Sequence, residues 1–201
     1  VAIVNGYCTL AEVKAALRIT DNVDDTLLEL SVEAASRMID GTCERVFYNA
    51  GTATRTFAAE RPDLVQIDDC QSITTFRTST NADYIYDQTF TTTDFQPEPL
   101  NQLVAGQVTP FTRVRATGDY SFPVASSVAT VQIVGVWGFA AVPVAIKQAT
   151  ILQASREFKR FDSPLGVAGF GDMGMLRVSR YIDPDVEMLV RPYVRNIVGV
   201  W

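Results

Sequence analysis

Apolar residues recur three and four positions apart near both ends of the chain and at every second position through much of its middle, so helical and extended segments separate at first reading. Leu10, Val13 and Leu17 share one face of a short helix ending near Arg18 to Thr20. Its start is written as Thr9-Leu10-Ala11-Glu12, a capping box: the Thr9 hydroxyl accepts the Glu12 amide and the Glu12 carboxylate reaches back to the Thr9 amide, with Cys8 and Val13 at staple positions. Asp21, Asp24 and Asp25 precede a second helix, where carboxylates favour the positive end of the dipole and Asp24 or Asp25 can serve as the cap. The expected buried stripe of that helix is Leu27, Leu28, Ser31, Ala34, Ala35, Met38 and Ile39, and it runs to about Cys43.

Between Phe47 and Trp137 the chain turns to Thr, Val, Phe, Tyr and Asp with turn residues at short intervals. The predicted strands are Arg55–Phe57, Leu64–Ile67, Ser72–Thr78, Tyr84–Tyr86, Arg113–Ala116 and Val128–Trp137, the last alternating Ala129, Val131, Ile133, Gly135 and Trp137 against a second set. Gln96 to Pro110, with its prolines, reads as a loop or extended arm. Helix returns after Pro143, with Ile146, Thr150, Ala154, Phe158 and Phe161 on one face. A glycine-rich loop, Gly166 to Gly174, a strand over Leu176–Tyr181 and a last helix opened by Asp183-Pro184 follow. That helix carries Val186, Leu189, Val190 and Tyr193, Pro192 kinks or ends it, and Asn196–Trp201 forms an apolar tail. The expected class is α+β: a frame of about four helices, from residues 1–46 and 142–201, with a small antiparallel β subdomain inserted as residues 47–141.

Composition narrows the chemistry. The 201 residues include no histidine, which removes Ser-His-Asp and Cys-His nucleophile activation, histidine base catalysis and nearly all catalytic zinc sites. A net charge of −6 argues against whole-surface binding to a polyanion. The charge is uneven: residues 1–46 and 47–141 are acidic, while 142–201 are basic, and Arg outnumbers Lys, which suits fixed carboxylate pairing across protein interfaces. Cys8, Cys43 and Cys70 form no CxxC pair and read as reduced thiols. Val1–Tyr7 lacks the basic start of a signal peptide and no apolar run reaches membrane-spanning length, so a soluble chain made inside a cell is expected.

Four patterns resemble known chemical sites. Gly169-Phe170-Gly171-Asp172-Met173-Gly174 matches GxGxxG, yet a helix precedes it and a strand-like segment follows, the reverse of a dinucleotide site. Val144-Ala145-Ile146-Lys147 matches the kinase VAIK out of order, and without histidine there is no HRD loop. Asp21, Val23 and Asp25 begin like a calcium loop without its glycine and terminal glutamate, and Asp68-Asp69 or Asp83 with Asp87 are ordinary turn carboxylates. The residues point to no catalytic, cofactor or metal site.

Tyr7-Cys8-Thr9-Leu10-Ala11-Glu12-Val13-Lys14-Ala15-Ala16-Leu17-Arg18-Ile19, then Asp24-Asp25-Thr26-Leu27-Leu28 and Ala34-Ala35, resembles the head-to-tail connector (adaptor) family of long-tailed bacteriophages. Trp137 through Ala149, followed by Phe158-Lys159-Arg160 and Asp162 through Gly169, is similar to adaptors from phages of actinobacteria. The resemblance implies a structural virion protein at the head-tail interface, assembled in the host cytoplasm. Its expected partners are the portal protein, neighbouring adaptor subunits in a dodecameric ring, and a stopper or tail connector. DNA is expected to pass through the lumen without specific binding. Arg191, Tyr193, Arg195, Ile197, Val198 and Trp201 are the expected portal-docking residues; Gly166, Gly169, Phe170, Gly171 and Gly174 are expected at a subunit or tail-side contact. Two other readings stay open: a β-rich module binding glycan or a host surface through Tyr84, Tyr86, Phe90 and Phe95, and a small nucleotide-dependent enzyme.

Overall fold

Helix α1 (Leu10–Leu17) begins at the capping box: Thr9 Oγ1 accepts from the Glu12 amide at 3.3 Å and Glu12 Oε2 accepts from the Thr9 amide at 2.8 Å. It stops where Arg18 turns left-handed. Helix α2 (Asp25–Cys43) starts after Asp24, which makes no side-chain cap; its backbone is not in the extended conformation that aims a capping carboxylate at the first amides. Asp25 instead meets Lys14 Nζ at 2.6 Å. Helix α3 (Val144–Phe161) is entered through Pro143, whose carbonyl accepts from the Lys147 amide at 2.9 Å. Helix α4 (Pro184–Val190) is capped by Asp183, which accepts from the Asp185 amide at 2.9 Å, and ends in a single 3-10 turn, Arg191–Tyr193, around Pro192.

The computed structural model describes residues 2–101, 103–104, 106–161, 167–169, 175–177 and 182–195. The chain divides into two compact units, residues 1–47 with 142–201, and residues 48–141. In the first, α1, α2 and α3 meet in a cluster of Cys8, Val13, Leu28, Val32, Ala35 and Ala154, with Leu10, Leu17, Ile151 and Phe158 at its margin. Each fully buried Val or Leu there contributes about 1.5–3 kcal/mol. Ser36, buried on α2, donates to the Val32 carbonyl at 2.8 Å and accepts from the Tyr7 amide at 3.2 Å. The inward stripe of α2 is Leu28, Ser31, Val32, Ala35, Ser36, Ile39 and Cys43. Ala34 and Met38, expected inside, are exposed, because small and apolar residues occupy both sides of α2 and α1 and α3 cover only one. Phe161, also expected on a packed face, is exposed.

The second unit is an antiparallel sheet of β1 (Asn49–Phe57), β2 (Leu64–Thr78), β3 (Gln88–Phe90), β4 (Phe95–Glu98), β7 (Phe111–Ala116) and β8 (Val131–Gly138), in the order β1-β8-β2-β7-β4 with β3 beside β2. A separate hairpin pairs β5 (Leu103–Val104) with β6 (Gln107–Val108). The core combines Val65, Ile67, Val114, Val131, Ile133 and Trp137 with a group of rings in which Phe76 stacks on Phe95 at 4.9 Å and meets Phe90 and Phe122 at 5.3 Å each. In β8, Val131, Ile133, Gly135 and Trp137 face inward. Gly135 is needed for close strand approach, since a Cβ there would stand 2.5 Å from the Ser72 carbonyl oxygen.

Three expectations for this region change. Leu64–Ile67 and Ser72–Thr78 are one strand, β2, whose register shifts around Gln66 to Thr75 absorb the Asp68-Asp69 interruption. Tyr84–Tyr86 is not a strand: Asp83 accepts from the Ser79 hydroxyl and the Ile85 amide, both at 3.0 Å, and bends the chain. Gln96–Pro110 is not a plain loop, because β4, β5 and β6 fall within or across it; Pro97 is tolerated in β4, which lies at the edge of the sheet. In the first unit, β9 (Val167–Gly169) pairs with β10 (Met175–Arg177), so Gly169 lies in a strand opposite Met175 and not in a loop. The strand expected over Leu176–Tyr181 begins one residue earlier; residues 178–181 lie outside the described set.

Candidate assembly interface

The side chains that the sequence offered for chemistry are engaged in the fold where they are described. Burial pushes the Cys8 thiol up to about 12 and those of Cys43 and Cys70 to about 11, so none is a thiolate at neutral pH. Lys147, the last residue of the VAIK match, lies on the first turn of α3 and pairs with Glu12 at 2.9 Å. Asp68 pairs with Arg55 at 2.7 Å, and the Thr80 amide and hydroxyl hold the Asp87 carboxyl below the usual range. Among the described residues no group of three His, Cys, Asp or Glu is placed to hold a metal ion, and no helix is long and apolar enough to cross a membrane. The four aromatics that would make a sugar platform are dispersed: Phe90 and Phe95 are core, Tyr86 donates to the Ala129 carbonyl at 3.0 Å, and only Tyr84 is exposed.

On the sheet, Glu98 sits between Arg113 (2.7 Å) and Arg115 (2.8 Å), and Arg115 also reaches Asp63 at 2.8 Å. Burial alone would raise the Glu98 carboxyl, but Arg115 and Arg113 outweigh it and hold it below the usual glutamate range. A depressed folded value means that this pairing stabilises the native state fully above the unfolded glutamate value of about 4.3 and is lost as pH falls through the lower folded value. Urea unfolding should therefore show stability falling on acidification below about pH 4, with a shallower fall in Glu98→Gln. Identical pH slopes for the two proteins would contradict this. Beyond the cluster, Pro99, Leu100, Asn101, Leu103, Val108 and Phe111 line an apolar groove of about 490 Å³, with Leu100, Leu103 and Val108 exposed.

In the helical unit the base of the C-terminal segment is tied to the end of α2. The Arg195 amide donates to the Cys43 carbonyl at 3.0 Å, Arg45 donates to the Tyr193 carbonyl at 3.1 Å, and the Tyr193 ring meets Phe47 edge-on at 5.9 Å. Of the expected docking residues, then, Arg191 is exposed, Arg195 is partly exposed and Tyr193 belongs to the unit's own core. Ile197, Val198 and Trp201 lie outside the described residues, as do Gly166, Phe170, Gly171 and Gly174; Gly169 is described as part of β9.

Two further surfaces went unnoticed in the sequence because each helix was assigned a single apolar face. The outward side of α2 carries Leu30, Ala34, Met38 and Gly41, bordered by Glu29, Glu33, Asp40 and Glu44. The outward side of α3 carries Val144, Gln148, Leu152 and Lys159, spaced for one helix face. Periodicity extended to the positions left over after the core is assigned would have found both.

Residues 7–105 match the family described as "Phage gp6-like head-tail connector protein". Over the whole chain the fold is similar to a chain in "Neck of empty GTA particle computed with C6 symmetry", at 18% identity, TM-score 0.57, covering 99% of this chain and 96% of that one. It is likewise similar to one in "Neck of native GTA particle computed with C12 symmetry", at 18% identity, TM-score 0.56 and the same coverages. A third similar chain comes from "Virion of native gene transfer agent (GTA) particle", at 19% identity and TM-score 0.54, with 99% and 96% covered. No curated protein matches. At these identities the structural likeness speaks for a shared α+β fold.

Proposed function

Since the chain belongs, through residues 7–105, to the phage gp6-like head-tail connector family, we propose that it is a head-to-tail adaptor that forms a ring beneath the portal of a tailed-phage-type particle and joins the capsid vertex to the next neck component. The coarse part of this reading, a structural connector, is carried by that family match together with a fold shared over 99% of the chain with a chain from a particle neck. Cyclic symmetry in the two neck reconstructions favours a ring, and the sixfold and twelvefold operators favour twelve subunits. The acidic balance of −6 suits a channel along which DNA slides, since like charge gives phosphates little to hold.

The C-terminal segment is the portal-facing element in this reading. Its base is fixed at the end of α2 by the Arg195 and Tyr193 contacts, with Arg191 exposed in the same turn. The strand pair containing Gly169 belongs to a subunit or tail-side contact. Electron microscopy of the purified chain, alone and mixed with the portal of its own particle, tests the proposal. Rings stacked coaxially on portal are expected from the full chain and should be lost when residues 196–201 are deleted, while the circular dichroism spectrum stays that of the folded chain. Absence of rings both alone and on portal would overturn the connector ring; rings that still dock after the deletion would overturn the role of the tail alone.

A further inference from the structure

A ring closed by rotation needs two different faces on each subunit, one complementary to the other, because every contact joins the front of one copy to the back of the next. The helical unit offers such a pair. Leu28, Val32 and Ala35 of α2 meet Ala154, Ile151 and Phe158 of α3 in one cluster, so these helices turn their inward faces toward each other. The residues that these helices leave exposed, Leu30, Ala34 and Met38 on α2 and Val144, Gln148 and Leu152 on α3, form two distinct faces of the unit.

Both faces carry exposed apolar residues, and their charges are of opposite sign. On α2 a column of small and apolar residues, Leu30, Ala34, Met38 and Gly41, runs beside the acidic column of Glu29, Glu33, Asp40 and Glu44. Gly41 leaves open space, with no atom of this chain within 4 Å of where a Cβ would stand. On α3 the apolar residues are Val144, 69% exposed, and Leu152, 39% exposed, and the basic residues gather at its C-terminal end. Helix α2 carries −3 and α3 carries +3 overall; with Asp25, Asp40, Lys147 and Arg156 paired within the unit, the charges these faces set against each other are Glu29 and Glu33 on α2 and Lys159 and Arg160 on α3. Apolar side chains set on a column with gaps at Ala34 and Gly41, with opposite charges alongside, give the close packing and steering expected of a specific interface.

We infer that the outward face of α2 on one subunit packs antiparallel against the outward face of α3 on the next copy of this chain, with Leu152 and Val144 seated along the Leu30–Ala34–Met38–Gly41 column and the basic C-terminal end of α3, Lys159 and Arg160, turned toward the acidic N-terminal half of α2 that carries Glu29 and Glu33. The inference rests on the ring reading above and names its lateral contact.

Charge reversal distinguishes the two. Glu29→Lys with Glu33→Lys gives a subunit basic on both faces; Lys159→Glu with Arg160→Glu gives one acidic on both. Neither is expected to form rings alone, by native mass spectrometry or electron microscopy, under conditions in which the wild-type chain does. Mixed in equal amounts they should form rings again, with the two variants in equal number, because only strict alternation brings opposite charges together at every contact. Ala34→Tyr, at an exposed position where the fold tolerates bulk, should also abolish rings while leaving the circular dichroism spectrum unchanged. Rings from either reversed variant alone, or a mixture that shows no alternating rings, would overturn this pairing and leave the ring itself standing. A wild-type chain that forms no ring, alone or on portal, would overturn both.

Discussion

Trp137→Ala is expected to lower the free energy of unfolding by about 3–5 kcal/mol, a large share of the roughly 5–15 kcal/mol that holds a typical domain. The Trp137 side chain is fully buried in the sheet core; its ring lies 5.6 Å from Phe57 and beneath the Arg55 guanidinium at 4.6 Å, and its indole N–H donates to the Ala53 carbonyl at 2.8 Å. Truncation opens a cavity between neighbouring strands that Gly135, already in close contact with Ser72, leaves little room to close. Trp137→Phe retains a ring and loses the hydrogen bond, so its loss should be clearly smaller. Urea unfolding followed by circular dichroism measures both, and a midpoint for Trp137→Ala equal to that of the wild type would contradict the assignment.

Phe47→Ala should cost a similar amount in the helical unit, again about 3–5 kcal/mol. Phe47 is fully buried and meets Tyr7 at 5.6 Å and Tyr193 at 5.9 Å, both edge-on. Such aromatic pairs contribute about 0.5–1.5 kcal/mol each beyond the area they bury. Because Tyr193 sits two residues before Arg195, loss of the Phe47 ring should also loosen the base of the C-terminal segment. Hydrogen exchange at the Arg195 amide, held by the Cys43 carbonyl, should speed up with it. Arg191→Ala, an exposed substitution in the same segment, serves as the control and should stay within about 0.5 kcal/mol of wild type. Equal effects of the two substitutions would count against Phe47 as the tie.

How legible each element was follows from how local its causes are. The capping box at Thr9 and Glu12 and the Asp183-Pro184 start of α4 are interactions between near neighbours in sequence, and both stand in the structure as read. The α+β class was legible for the same reason, in the change from helical to alternating apolar period. Asp24 misled because capping depends on a backbone angle as well as on residue type. Joining two short strands into β2 takes register shifts that only the neighbouring strands β7 and β8 define. On α2 the choice between Ala34 with Met38 and Val32 with Ser36 is settled by α1 and α3, which no local pattern contains. Of the candidate site, Arg191 and Arg195 were legible as exposed or partly exposed basic residues, while Tyr193 was read outward because its partner, Phe47, lies 146 positions away in sequence.

The first and last strands of the sheet unit lie side by side. Asn49 is the register partner of Gly138, and the Phe139 amide donates to the Tyr48 carbonyl at 3.2 Å. A Cβ on Gly138 would come within 2.1 Å of that carbonyl oxygen, so the glycine is what lets the incoming and outgoing strands close together. A module that begins and ends at one point behaves, for a recombining genome, as a cassette. Its length can change between these two strands while Tyr48 and Phe139 stay hydrogen-bonded at one junction, so an insertion or deletion inside residues 48–141 need not move the ends of the chain that enter and leave it.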